Sequence, residues 1–251
     1  MLNETFYLDG IDARSAGIQL QAPIEFSEAV PIFEAQTIPG RNGDLIWETG
    51  SYENRSGSAS CFCLQKDVEK AISSAGRFLM GKKGYRRLET SDDPDHYWLA
   101  RVENSPQISM RLRTLSPFDI GFDCKPQRFL KSGQETIKIP AESLANSGYV
   151  IYNQYGFDAL PIIKIFPNGN TPIYLTINGK DVMINNLPEG EECIVLDSET
   201  QNAYNENGNR NNYVIIPEFP VLKYGENVIK DEFSFTSRLN RIEIIPRWWE
   251  L

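Results

Sequence analysis

Apolar and polar residues alternate with a period of two along most of this chain, and turn-forming residues interrupt the alternation every few positions. That is the pattern of antiparallel β structure, in which one side of each strand is buried and the other faces water. One segment departs from it. The apolar positions Leu64, Val68, Ile72, Ala75 and Leu79 recur at spacings of four, four, three and four, and Gly81 stands where a helix C-cap belongs. The spacing predicts one amphipathic helix over 64–80. Lys82, Lys83, Arg86 and Arg87 follow it directly, where cations favour the negative end of the helix dipole. A solvated turn and a partner contact are both open to this basic group.

Downstream, residues 85–89 and 96–102 read as two strands joined by the acidic run Thr90-Ser91-Asp92-Asp93-Pro94-Asp95. Asp accepts local backbone hydrogen bonds and Pro fixes φ, so the run suits a tight connection. Three carboxylates within four residues also suggest calcium, but the glycine and glutamate spacing of an EF-hand is missing, and no metal ligands are assigned. Between about Lys125 and Ala159 the alternation weakens, with Gly133, Pro140, Gly148 and Gly156 breaking short apolar runs. A domain boundary is expected there, giving units 1–135 and 136–251. In the second unit, runs at 160–166, 173–177 and 180–184 are followed by 192–197, an Asn-rich loop around Asn207, and 241–246 leading into Trp248-Trp249. Asn178-Gly179 separates two of these runs and is a strong hairpin signal, because both residues tolerate positive φ. The second half therefore reads as an all-β sandwich, and the whole chain as mainly β with one helix.

The 251 residues are 41% apolar and 11% aromatic, with 18 Gly and 15 Pro scattered singly, which excludes a disordered or collagen-like chain. Against 25 Lys+Arg stand 34 Asp+Glu, a net charge of -9 that argues against a broad phosphate-binding surface. The N-terminus shows no basic and apolar leader, and nowhere do 18 apolar residues run together, so synthesis in the cytosol and no membrane insertion are expected. Cys61, Cys63, Cys124 and Cys193 lack the spacing of a zinc site and are expected to be reduced and mostly buried, with Cys61 and Cys63 on one strand face. Phosphate-cradling, zincin and hydrolase-elbow motifs are absent, and any Ser-His or Cys-His nucleophile would have to use the single histidine, His96. No catalytic, cofactor-binding or metal residue is assigned, and no enzyme activity is expected. Trp47, Trp98, Trp248 and Trp249 could stack on sugars or anchor a partner, although core packing competes for each. If the last strand continued through them, Trp248 and Trp249 would point to opposite sides. Trp248 and Tyr204 are the candidate partner or glycan contacts.

The first half carries Ile38-Pro39-Gly40-Arg41-Asn42-Gly43-Asp44-Leu45, then one helix, then Tyr85-Arg86-Arg87-Leu88 and Asp93-Pro94-Asp95-His96-Tyr97-Trp98-Leu99-Ala100. With the terminal sandwich, this resembles the distal tail protein (Dit) family of long, flexible-tailed phages of Gram-positive bacteria. The resemblance covers the chain to Ile242-Glu243-Ile244-Ile245-Pro246-Arg247-Trp248 and is more specific in the first half. It implies an N-terminal split β-barrel or sandwich with one helix and a C-terminal galectin-like β-sandwich. It also implies a homo-hexameric ring at the virion tail tip, assembled in the host cytoplasm. Such a ring joins the tail tube, the tape measure protein, a tail-associated fibre or lysin protein and receptor-binding proteins. Its central channel passes DNA without specific binding. Pro39, Gly40, Arg41, Gly43, Tyr85, Arg86, Leu88, Pro94, Tyr97 and Ala100 are the family-motif positions, expected to serve assembly; an ordinary hairpin connection is the alternative for the Pro39–Gly43 turn. A carbohydrate-binding module contacting host wall glycans through the second unit is the alternative reading of the whole, since fold does not fix function.

Overall fold

Where the sequence alternates, the chain forms strands. In this computed structural model the described residues are 4–63, 68–104, 110–111, 114–115, 117–169, 172–185, 187, 190, 192–208, 212–232 and 238–251. They divide into two units, Met1–Arg128 with Leu251, and Phe129–Glu250.

The first unit contains β1 (Phe6–Leu8), β2 (Ile11–Asp12), β3 (Ile18–Leu20), β4 (Glu25–Phe26), β5 (Pro31–Gln36), β6 (Leu45–Tyr52) and β7 (Arg55–Cys63). Helix α1 (Val68–Met80) follows, then β8 (Arg86–Thr90), β9 (His96–Val102), β10 (Met110–Arg111), β11 (Thr114–Leu115) and β12 (Phe118–Leu130), which runs on into the second unit. The main sheet has the order β2-β1-β8-β9-β12-β7-β3, with β4 also on β7. Its core follows from the pleat: Ala59, Cys61 and Cys63 point inward from β7, and Phe118, Ile120 and Phe122 from β12, with Phe118 opposite Cys61 and Phe122 opposite Gly57. Gly57 is small because Phe26 and Phe122 crowd it, each leaving only 3.2 Å to an added Cβ.

Helix α1 covers this core with Ala75 and Leu79, and Phe78 meets Phe6 at a centroid distance of 6.0 Å. Two details differ from the predicted helix. Ile72 is 43% exposed, and the larger Phe78, on the other edge of the stripe, packs against the core instead. The predicted first turn, beginning at Leu64, lies outside the described residues. The helix ends as expected at Gly81, whose N–H donates to the Arg77 carbonyl at 3.0 Å; a Cβ there would lie 2.3 Å from the same oxygen.

The second unit contains β13 (Ile137–Pro140), β14 (Tyr149–Asn153), β15 (Ile162–Pro167), β16 (Ile173–Ile177), β17 (Lys180–Ile184), β18 (Ile194–Asp197), β19 (Asn202–Asn205), β20 (Val214–Ile215), β21 (Gly225–Asp231), β22 (Leu239–Ile245) and β23 (Trp249–Glu250). Two five-stranded sheets form, β13-β22-β15-β18-β19 and β14-β21-β16-β17-β20. Ile163, Ile165, Ile242 and Ile244 of the first and Leu175, Ile177, Val182, Ile184 and Ile229 of the second share one core, the expected sandwich. Asn178 (φ 51°) and Gly179 (φ 71°) close the β16–β17 hairpin with both residues at positive φ, as Asn-Gly predicts.

The division falls at 128/129, where the sequence reading set 135/136. The intervening 3-10 turn, Lys131–Gln134, is fastened to the end of the second unit: Leu130 N–H donates to the Trp248 carbonyl at 3.0 Å and Arg247 N–H to Gly133 at 2.8 Å. Gly133 approaches so closely that a Cβ would stand 2.4 Å from the Trp248 nitrogen. Nor does the last strand continue through both tryptophans, because β22 stops at Ile245 and Arg247 adopts φ 58°. Trp248 turns into the core, and Trp249 stacks on Phe157 at 4.4 Å while its indole N–H donates to the Asp158 carbonyl.

Candidate functional site

Strands β5 and β6 form a sheet of their own, with Phe33 opposite Glu48, Glu34 opposite Trp47, Ala35 opposite Ile46 and Gln36 opposite Leu45. Directly opposed residues share a face. One face therefore carries Phe33, Ala35, Ile46 and Glu48, and the other Glu34, Gln36, Leu45 and Trp47. Every residue of β5 is exposed, and Phe33, Ile46 and Trp47 are 58%, 61% and 59% exposed. A two-stranded hairpin alone is marginally stable in water, and one with large apolar side chains on both faces needs a cover that the described residues do not provide.

The hairpin is fixed at both ends. At its base Arg55 Nε donates to the Ser27 carbonyl at 2.6 Å, Ser27 N–H to Ser56 and Glu53 N–H to Val30, each at 2.9 Å. At its tip the Thr37 hydroxyl donates to Asp44 at 2.7 Å, and Arg41 N–H to the Ile38 carbonyl at 3.1 Å. Gly40 and Gly43 hold φ of 82° and 78° in that turn. The structure thus brings Pro39, Gly40, Arg41 and Gly43 together at the end of an exposed arm.

The other family-motif positions lie elsewhere in the unit. Leu88 and Ala100 are core residues, and Pro94 is exposed in the acidic turn. Tyr97 is buried with the Arg87 guanidinium 4.2 Å over its ring. Tyr85 stands near the hairpin base, where its hydroxyl accepts from Asn54 at 2.7 Å and donates to Asp123 at 3.3 Å. Arg86 is buried: Nη1 donates to the Phe78 carbonyl at 2.6 Å, at the open end of α1, and Nε to Asp9 at 3.0 Å. The basic group after the helix is thus in part a built cap. Burial by itself would raise the Asp9 carboxyl, but hydrogen bonds from Lys82 and Arg86 outweigh it and hold the pKa below the usual carboxylate value.

His96 is only 15% exposed; its Nδ1 lies 2.7 Å from Asp93, whose other oxygen accepts from Arg128 Nη2 at 2.7 Å. Burial would raise Asp93 as well, and the His96 and Arg128 bonds keep it low. Among the described residues no cluster of three His, Cys, Asp or Glu could hold a metal ion. All four cysteines are buried free thiols, and burial pushes Cys61 and Cys124 up to about 12. In the second unit Tyr204 is half-buried opposite Val195, and burial followed by the nearby Asp197 raises its phenol. Trp248, the other candidate contact, is 7% exposed, so its ring face is occupied by the core and is not on offer to a glycan.

Sequence reasoning missed Phe33, Ile46 and Trp47 as a group. The signal was there: Ile32-Phe33 and Leu45-Ile46-Trp47 are consecutive apolar residues that no single-faced strand accommodates.

This mainly β chain of two units, the first closed by one helix and the second a sandwich, shares its fold with solved phage tail and baseplate proteins. Among solved structures, the Dit protein (gp 19.1) of phage SPP1 superposes with a TM-score of 0.70 at 15% identity, covering 96% of this chain and 97% of that chain. That protein is described as a paradigm of the hub adsorption apparatus in phages infecting Gram-positive bacteria. A chain of the phage P2 baseplate, in its activated conformation with Ca, follows with a TM-score of 0.52 at 8% identity, covering 97% of each chain. No family model and no curated protein matches the sequence.

Proposed function

We propose that this chain is a structural component of a phage tail tip whose copies join head to tail into a closed ring of six. The hairpin β5–β6 carries the reading: an arm with apolar side chains on both faces, held rigidly at base and tip, belongs in an assembly that covers it. The Dit-like fold over the whole chain supports the same role. On this reading the first unit forms the ring and its channel, and the second displays surface to tail-fibre or receptor-binding proteins. The tail tube and the tape measure protein meet the ring itself. The net charge of -9 suits a wall past which DNA phosphates slide without being retained. No step of chemistry is assigned to any residue.

Light scattering on the purified protein tests self-assembly. Six copies weigh 6 × 28.5, or 171 kDa. Replacing residues 33–50 by a short Gly-Ser linker should leave a folded monomer somewhat lighter than the 28.5 kDa parent chain. A ring that survives loss of the hairpin would contradict the proposal.

A further inference from the structure

Helix α1 and the 3-10 turn Ala13–Ala16 enclose a cleft of about 330 Å³ in the first unit. Its lining joins the apolar Ile11, Ala16 and Phe78 to the buried Arg86, and Ile11 is 48% exposed. Arg77, Lys82 and Ser74 stand around it. Lys82 shares Asp9 with Arg86, whereas the Arg77 guanidinium has no partner among the described residues. The cleft thus combines apolar and cationic lining, on a chain whose overall charge is -9.

The hairpin carries the complementary pattern. Trp47 lies beside Glu34 on one face, and Asp44 and Glu48 add negative charge against the single cation Arg41. Two copies of a chain this acidic repel each other at long range, so they dock only where opposite charges meet locally. The hairpin and the cleft are such a pair, and β5, at about 3.3 Å per residue, gives the arm a reach of about 20 Å. Resting on the reading that copies of this chain assemble, we propose that the hairpin of one copy inserts Trp47 into the α1 cleft of the next, with Arg77 over the indole and Glu34 meeting Lys82. A cation over an indole face adds electrostatic attraction to the burial of the ring. The contact is heterologous, since each copy gives a hairpin on one side and a cleft on the other, and repetition closes a ring.

Two variants test it, each first shown by circular dichroism to melt as the parent does. Trp47→Ala with Glu34→Lys removes the knob, and Ser74→Trp with Arg77→Glu closes the cleft. Each alone should scatter as a 28.5 kDa monomer. Mixed in equal amounts they hold one good hairpin and one good cleft, which meet once, so the mixture should stop at 2 × 28.5, or 57 kDa. Should Ser74→Trp misfold, Arg77→Glu alone is expected to weaken self-association at least tenfold with an unchanged melting temperature. Cleft variants that assemble as the parent does, while hairpin variants do not, would place the receiving surface elsewhere and overturn this inference alone. A parent chain that stays monomeric at high concentration, alone and with its neighbouring tail proteins added, would overturn the ring as well.

Discussion

Arg86 is a charged side chain placed where apolar residues are the rule, and its cost of burial is offset by bonds to a helix-end carbonyl and to Asp9. Arg86→Met keeps much of the volume and leaves Asp9 and the Phe78 carbonyl without that donor. Urea unfolding should show a loss of about 2–3 kcal/mol. Asp9, Asp12, Asp93 and Asp123 all titrate below the usual value: burial opposes this in each, and hydrogen bonds from Lys82 and Arg86, Arg14, His96 and Arg128, and Arg101 outweigh it. A lowered folded-state pKa gives stability that is complete above the unfolded value of about 3.9 and is lost as pH falls through the folded one. The melting temperature should therefore hold above about pH 5 and decline steadily below about pH 4. Cysteine behaviour follows from burial too. With Cys61 and Cys124 near 12 and Cys193 near 11, a thiol reagent at pH 8 should label the native protein slowly and all 4 cysteines at once in urea. The sequence placed Arg86 beside a helix end and the thiols inside. It did not show Arg86 buried, or His96 wedged between Asp93 and Arg128, because pairing of residues 32 positions apart leaves no periodic trace.

Among elements, the ones legible in sequence are those whose local chemistry and tertiary fate agree. Asn178-Gly179 makes the turn its φ preferences dictate, and α1 ends at the glycine that marks its end. The exposed Ile72 shows where agreement fails: periodicity fixes a stripe about a third of the helix wide, and the size of Phe78 decides which edge of it is buried. Leu79→Ala should cost about 2–5 kcal/mol, whereas Ile72→Ala should stay within about 0.5 kcal/mol, a contrast that chemical denaturation resolves. The hairpin was visible as a turn and hidden as an arm, since apolar residues on both faces read equally as a doubly covered core strand. The last strand ends where Pro246 removes a backbone donor, and the backbone at Arg247, at φ 58°, leaves the strand region before the two tryptophans.

For the whole molecule, the two halves were separable by the fading alternation near Gly133, and the 3-10 turn fastened to Trp248 moved the division earlier. The chain shares its fold with the SPP1 Dit protein and a chain of the P2 baseplate at identities of 15% and 8%, a distance at which pleat, turn and packing persist while most side chains change. On the proposed reading, the exposed apolar arm on a highly acidic chain would drive association, and the net charge would confine it to one matched surface. Electron microscopy of the negatively stained protein, parent beside Trp47→Ala with Phe33→Ala, puts this to the most direct test. The account predicts six-fold rings with a central hole for the parent and dispersed single particles for the variant. Rings of equal abundance in both, or none for the parent even when its neighbouring tail proteins are added, would contradict it.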